Sequence, residues 1–422
     1  MTPAQRGYDP TVQVADELET KLARERLKEW APDPKYERPV SKMDVYDDQK
    51  QAGGDNDAKK LNPRKFLVWG ALADPESPLG RAMRGYPALE VTGGLDKAKE
   101  APPMFLKEQW RSIALRPEFD TLRELKDGDV KYVPTLECGG DLPDQVTQTA
   151  VYATKTRIHV RFVVLEVGGP IECFSSSKEM FQAVYANAFQ GHKQAYEKCK
   201  LLHRDVSGGN ILLVTNGGLL NDWDMAVKVN EDERGPRAHE RTGTWAFMSI
   251  DLLMGERRPH QIKDDLESFL WVLYYGLLYL PHNKVDNLYK IITAVFEQYT
   301  YYTEAKGGSG KYTMVMQGNY IGDCAPPPLE FTSNVPLTEF VTTILTLFQN
   351  WKQQELAAST ARKTTTLIAG ASVPHLRSLG PQQPSVPTPP TQDEMRGDME
   401  AIFQFILNMA WPTDDKKPNS IS

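Results

Sequence analysis

The chain has little of what a zinc site, a disulfide scaffold or a membrane span requires. Only four cysteines occur in 422 residues, Cys138, Cys173, Cys199 and Cys324, and no two form a C-x-x-C pair. Scattered thiols argue against both a structural zinc and a disulfide framework, and for a reducing compartment, cytoplasm or nucleus. No apolar h-region opens the chain, so no secretory signal is expected. The longest apolar run, Phe269 to Leu280, is too short to span a bilayer and follows acidic residues, which suits a buried core helix. The net charge is -7 and no long basic run occurs, so neither nucleic acid nor membrane is an expected partner. A true phosphate loop is also missing. In Gly307-Gly308-Ser309-Gly310-Lys311-Tyr312 the first glycine lies too close to Gly310, and Tyr312 stands where Ser or Thr is required; the run reads as a turn.

What is present is concentrated in Leu202-His203-Arg204-Asp205-Val206-Ser207-Gly208-Gly209-Asn210-Ile211-Leu212-Leu213. This is H-R-D, four residues, then Asn, running into an apolar strand. Leu219-Leu220-Asn221-Asp222-Trp223-Asp224 follows, a second apolar pair ending in carboxylates. The pattern suits phosphoryl transfer, where positioning and charge neutralisation do most of the catalysis. Asp205 would orient a hydroxyl nucleophile. Asn210 and Asp222 would offer oxygens to Mg2+, a hard cation. Arg204 is a ready partner for an acidic or phosphorylated loop.

Upstream, residues 1–63 read as an extension with one amphipathic helix (Val14, Leu18, Leu22) and a charged linker from Asp44 to Pro63. Strands are expected at Tyr86–Val91 and Met104–Lys107, then a helix at Glu118–Leu125. Lys107 on its strand and Glu118 on the next helix suit a phosphate clamp and its ion-pair partner. The alternatives are a surface lysine and a first-turn glutamate that favours the helix dipole. Arg157–Val167 is an alternating strand broken at Glu166-Val167-Gly168-Gly169, as a hinge would break it. Lys178–Lys200 has helical spacing, with His192 expected as a core histidine. Gly243 to Asp251 could form a substrate platform. Asp264-Asp265 open the most apolar helix and could tie down the catalytic-loop backbone. A helix is expected at Pro336–Gln354, a Pro-rich linker at 367–392, and a last helix from Asp393 to Trp411 that folds back or docks on a partner.

On these motifs, with Phe105-Leu106-Lys107, Gln109-Trp110-Arg111, Gly243-Thr244, Phe247-Met248-Ser249 and Asp264-Asp265-Leu266-Glu267-Ser268, the chain resembles the fungal-type protein kinase family. The resemblance implies an α+β, bilobal protein kinase-like fold over residues 64–366, with a small β-rich N-lobe (64–166) and a larger helical C-lobe (167–366). It implies Asp205 as catalytic base, Asn210 and Asp222 as metal ligands, and Lys107 with Glu118 as the ion pair. ATP and Mg2+ are the implied cofactors, with Gly80 and Glu166 among the nucleotide contacts and a protein as substrate. Asp222 to Asp251 would be the activation segment; Arg204 could pair with a phosphate on Thr242 or Thr244, or Thr244 could simply hydrogen-bond within the loop. Three departures stand out. Gly80-Arg81-Ala82-Met83-Arg84-Gly85 is the nearest approach to a glycine loop, Ser207 replaces a lysine, and Asp224 replaces the glycine of D-F-G. The D-W-D element also fits a small-molecule phosphotransferase of choline-kinase or aminoglycoside-kinase type, and the three departures fit a pseudokinase scaffold.

Overall fold

The structure is a computed structural model that describes residues 9–30, 38–47, 63–73, 81–147, 156–215, 217–229, 243–255, 258–280, 288–301, 305–317, 329–370, 388–413 and 415. The chain divides into two units: the first comprises 1–169, 214–216 and 221–224, and the second the remainder. The α+β class expected from the sequence is observed, with the sheet in the first unit and most of the helix in the second.

The first unit is built on strands β1 (Val12–Val14), β2 (Ser41–Val45), β3 (Arg64–Val68), β4 (Arg84–Glu90), β5 (Met104–Ser112), β6 (Leu136–Val146) and β7 (Arg157–Val164). They form one antiparallel sheet in the order β1-β2-β3-β4-β5-β7-β6. Side chains alternate across a strand, so each face collects its own core. Phe66 and Val68 pack with Met43, Val45, Leu106 and Val163 on one side. Leu67 packs with Ala15, Ala23, Leu27 and Leu89 on the other.

Residues 9–47, expected as an extension, thus supply two strands. The expected helix begins later, as α1 (Glu17–Arg26), because Asp16 forms a capping box with Glu19. Val14 and Leu18, expected on its buried face, are exposed, and Leu22, Ala23 and Leu27 carry the burial. A buried polar network fastens the same segment. Arg161, fully buried, donates to Glu108 at 2.9 Å, to Asp9 at 2.6 Å and to the Thr11 hydroxyl at 2.6 Å. Burial alone would raise the Glu108 carboxyl, but His159 and Arg161 bring it down to about 2. Helix α2 (Leu95–Glu100) links β4 to β5, and α3 (Glu118–Asp127) follows β5.

The second unit begins with α4 (Ser177–Gln182), a π-helical stretch Ala183–Phe189 and α5 (Gln190–Cys199). Then come α6 (Ile250–Leu253), α7 (Ile262–Leu277), α8 (Leu288–Ile291), α9 (Ser309–Met316), α10 (Val335–Gly370) and α11 (Gln392–Leu407). Leu337, Phe340, Ile344 and Phe348 of α10 are buried on one face, as their spacing predicts. Helix α11 folds back on its own unit. Its Phe403 lies 5.7 Å from Phe181 and 5.7 Å from Phe340 between ring centroids. Among the described residues no helix is long and apolar enough to cross a membrane.

Candidate active site

In the first unit three residues distant in sequence meet around one ammonium. Lys107 sits buried on β5 between the buried Leu106 and Glu108, and its Nζ donates to Glu118 Oε2 at 2.7 Å and to Asp222 Oδ1 at 2.8 Å. Pro117 starts α3 with Glu118 in the first turn, which aims that carboxylate at the strand. Glu118 also accepts the Trp223 N–H at 3.2 Å, so it holds the backbone beside Asp222 as well as the lysine. Burial works against the Lys107 charge, but Asp222 and Glu118 more than offset it and hold the ammonium above its ordinary range. Burial raises the Glu118 carboxyl, with Lys107 opposing. Of the two readings of this pair left open by the sequence, the ion pair is the one made.

Asp222 itself has left-handed backbone, at φ 60°, which is uncommon outside glycine and gathers at functional sites. Asp224, the acid in place of glycine, is taken up by Arg81, and Gln109 Nε2 donates to it at 3.4 Å. In the sequence Arg81 is only a member of a weak glycine loop; nothing in its spacing marks it as a partner for a residue so far along the chain. Gly80 lies outside the described residues. The carboxylate of Glu166, a residue expected among the nucleotide contacts, accepts from the Thr135 backbone N–H at 2.8 Å and hydroxyl at 2.7 Å. It secures the entry to β6.

In the second unit the H-R-D loop is held from below by α7. Asp265, fully buried, accepts the His203 N–H at 3.0 Å and the Arg204 N–H at 3.1 Å. It also bonds His192 Nε2 at 2.9 Å and His260 Nε2 at 2.8 Å. Burial would raise this carboxyl, yet His260 and His192 hold it well below the ordinary range. Of the two acids expected to tie down the loop, Asp265 does so, while Asp264 accepts from Ser249, Arg258 and the Gln261 N–H; His192 is a core histidine with a defined partner. Arg204 is buried with φ 72°, a strained backbone that the two Asp265 bonds help to hold.

Asn210 Nδ2 donates to the Asp205 carbonyl at 2.8 Å, which leaves the side-chain oxygen as the group suited to a cation. Ser207 is buried and extended ahead of the short turn Gly208–Asn210. Thr244 donates both its N–H and its hydroxyl to Asp205 Oδ1. Gly243 makes this approach possible: its φ is +112°, and a Cβ there would stand 2.8 Å from the Arg204 carbonyl. Thr244 therefore hydrogen-bonds within the loop and serves Asp205, one of the two roles that the sequence left open for it. Thr242 lies outside the described residues. Asp251 is anchored by Lys352 at 2.5 Å and Lys263 at 2.8 Å, closing the segment.

Each unit carries an oxygen donor of the kind that Mg2+ takes, Asp222 in the first and Asn210 in the second. Among the described residues no cluster of three or more His, Cys, Asp or Glu could hold a metal. Magnesium commonly uses one or two carboxylates together with phosphates and water. Asp222 and Asn210 are oxygen donors of that kind.

The solved structure of PK-1, a kinase of Cydia pomonella granulovirus, aligns with 66% of this chain and 86% of its own, at 12% identity and a TM-score of 0.42. The model of the fungal protein kinase family matches residues 137–277. Those residues contain the H-R-D loop, the Asn221–Asp224 element, the Gly243–Asp251 segment and the start of α7. It is to the fungal protein kinases that this stretch of the chain is similar.

Proposed function

We propose that the chain is a protein kinase that uses Mg2+ and ATP to phosphorylate serine or threonine hydroxyls of a protein substrate. The observation that carries this reading is the buried Lys107, bonded at once by Glu118 and Asp222. Burying an ion pair seldom gains stability over a packed apolar pair, so a lysine kept charged there needs another reason. Holding the phosphates of a nucleotide supplies one. In this reading Lys107 binds phosphate, Glu118 keeps Lys107 in place, and Asp222 and Asn210 offer oxygens to the metal. Asp205, with one oxygen fixed by Thr244, orients the attacking hydroxyl. The metal, when bound, neutralises charge on the phosphates. Gly243–Asp251, pinned at both ends, supports a peptide substrate over a small molecule.

The test measures Mg2+-dependent ATP binding by thermal shift, then labelled phosphate transfer to peptides, amino alcohols and aminoglycosides. Wild type should be stabilised only with Mg2+ and should label peptides. Asp222→Ala should lose the shift, and Asp205→Ala should keep the shift but lose the transfer. Label found only on small molecules would move the reading to that class of phosphotransferase. A shift without transfer to any acceptor would leave a nucleotide-binding scaffold.

A further inference from the structure

The glycine-rich run from Gly307 to Lys311, read from the sequence as a turn, is packed along its length. A Cβ on Gly307 would stand 2.6 Å from the Trp245 ring. Gly308 begins α9 at φ +83°, where a Cβ would stand 2.9 Å from Leu253. A Cβ on Gly310 would lie 1.9 Å from the Ala294 carbonyl. No larger residue fits at these three glycines. It delivers Lys311, fully buried, under the platform segment, where its Nζ donates to the Met248 carbonyl at 2.7 Å and lies 4.8 Å from the Trp271 ring centroid.

The next two residues are pinned in turn. Ser249 donates its hydroxyl to Asp264 at 2.6 Å, and Ile250 donates its N–H to Glu267 at 2.8 Å. Three consecutive residues are thus held by three buried polar groups, two from α7 and one from α9. An unpartnered polar group would be costly at such depth, so each bond fixes the backbone firmly. The same short segment begins at Thr244, which orients Asp205.

We propose that Lys311 is a positioning residue: through the Met248 carbonyl it sets the register of Thr244–Ile250 against Asp205, and so the affinity for the protein substrate. The inference rests on the kinase reading only for the identity of that substrate. Burial depresses the Lys311 ammonium to about 7, with Glu267 opposing, in keeping with a group kept for its hydrogen bond.

The experiment compares the full chain with Lys311→Met, which keeps the volume and removes the donor, by hydrogen exchange and steady-state kinetics. Exchange of the Thr244 and Phe247 amides should quicken by about tenfold while the rest of the second unit keeps its protection. The KM for peptide should rise by a similar factor of about ten, with the Mg-ATP thermal shift unchanged. Unaltered exchange across 243–250, or a loosening spread evenly over the unit, overturns the proposal. If Lys311→Met does not fold, Lys311→Gln, one atom too short to reach Met248, is measured in the same way. Faster local exchange in a protein that transfers no phosphate would leave the positioning role standing and remove the kinase reading alone.

Discussion

Thr244 donates its N–H and its hydroxyl to a single oxygen of Asp205, each at 2.8 Å, from 39 residues further along the chain. A carboxylate gripped twice on Oδ1 has its other oxygen held in one direction, which a base needs in order to meet a hydroxyl proton. Thr244→Val keeps the side-chain shape and removes one of the two donors. Peptide phosphorylation should fall by about tenfold in kcat with the KM for ATP unchanged, and Thr244→Ser should recover most of it. Steady-state kinetics on the three proteins decide this; wild-type kcat in Thr244→Val would mean that the backbone N–H alone orients Asp205.

Asp265 gathers two backbone amides and two histidines in a site with no exposure. Removing its charge leaves those donors facing a neutral group, so Asp265→Asn should cost about 3–5 kcal/mol in urea unfolding. The pH dependence has two arms. The Asp265 carboxyl is depressed in the fold, so its stabilisation is present above about 3.8 and is lost as pH falls through the folded value. His260 is raised, burial opposing and Asp265 driving the shift, with Asp264 and Arg204 also facing it. Its stabilisation is complete below about 6.5 and is lost as pH rises through the folded value. Urea midpoints taken from about pH 2 to about pH 9 should show both arms flattened in Asp265→Asn. Unchanged arms would assign the pH dependence to other groups.

Much of the first unit's geometry was legible because it is written in short-range signals. The short apolar run ending at Lys107 and the helical spacing after Pro117 put Lys107 on a strand and Glu118 in a first turn, and leave open whether the two pair. The H-R-D spacing and the acidic start of α7 similarly foretell the Asp265 clamp. What could not be read depends on long-range pairing. Arg81 finds Asp224 across 143 positions and Arg161 finds Asp9 across 152, and no local pattern announces either bond. Val14 was assigned to a helix because its spacing to Leu18 is helical, but pairing with Ser41 makes it strand. The run at Gly307–Lys311 reads from the sequence as a turn, since it lacks the spacing of a phosphate loop. Its steric purpose shows only when Trp245, Leu253 and Ala294 are seen against it.

Helix α11 is held by more than its apolar face. Met399, Phe403 and Ile406 are fully buried, Glu400 accepts from Lys193 at 2.7 Å, and beyond the helix Asp415 accepts the Ser177 N–H at 2.9 Å. Phe403→Ala should therefore destabilise the second unit by about 3–5 kcal/mol, the usual cost of emptying an aromatic site in a close-packed core. Differential scanning calorimetry reads this directly. A loss below about 1 kcal/mol would show that α11 is a loosely attached arm.

Lys311 gives the second unit a pH dependence of its own. Burial depresses its ammonium from 10.5 to about 7, against the pull of Glu267, whose own carboxyl burial raises. Between those two values the unfolded chain holds a proton that the folded chain has released, so stability should rise with pH. The contribution is complete above 10.5, is lost as pH falls to about 7, and changes little below that. Lys311→Met carries no such proton. Its melting temperature minus that of the wild type should be most positive near about pH 6.5 and should fall as the pH rises towards about 9, on top of a constant cost of leaving the Met248 carbonyl unpaired. Glu267→Gln in both backgrounds separates the carboxylate, on which Lys352 also acts, from the lysine. A gap that stays constant over this range would mean that Lys311 keeps its proton in the fold, and that the Met248 carbonyl is held by a charged ammonium.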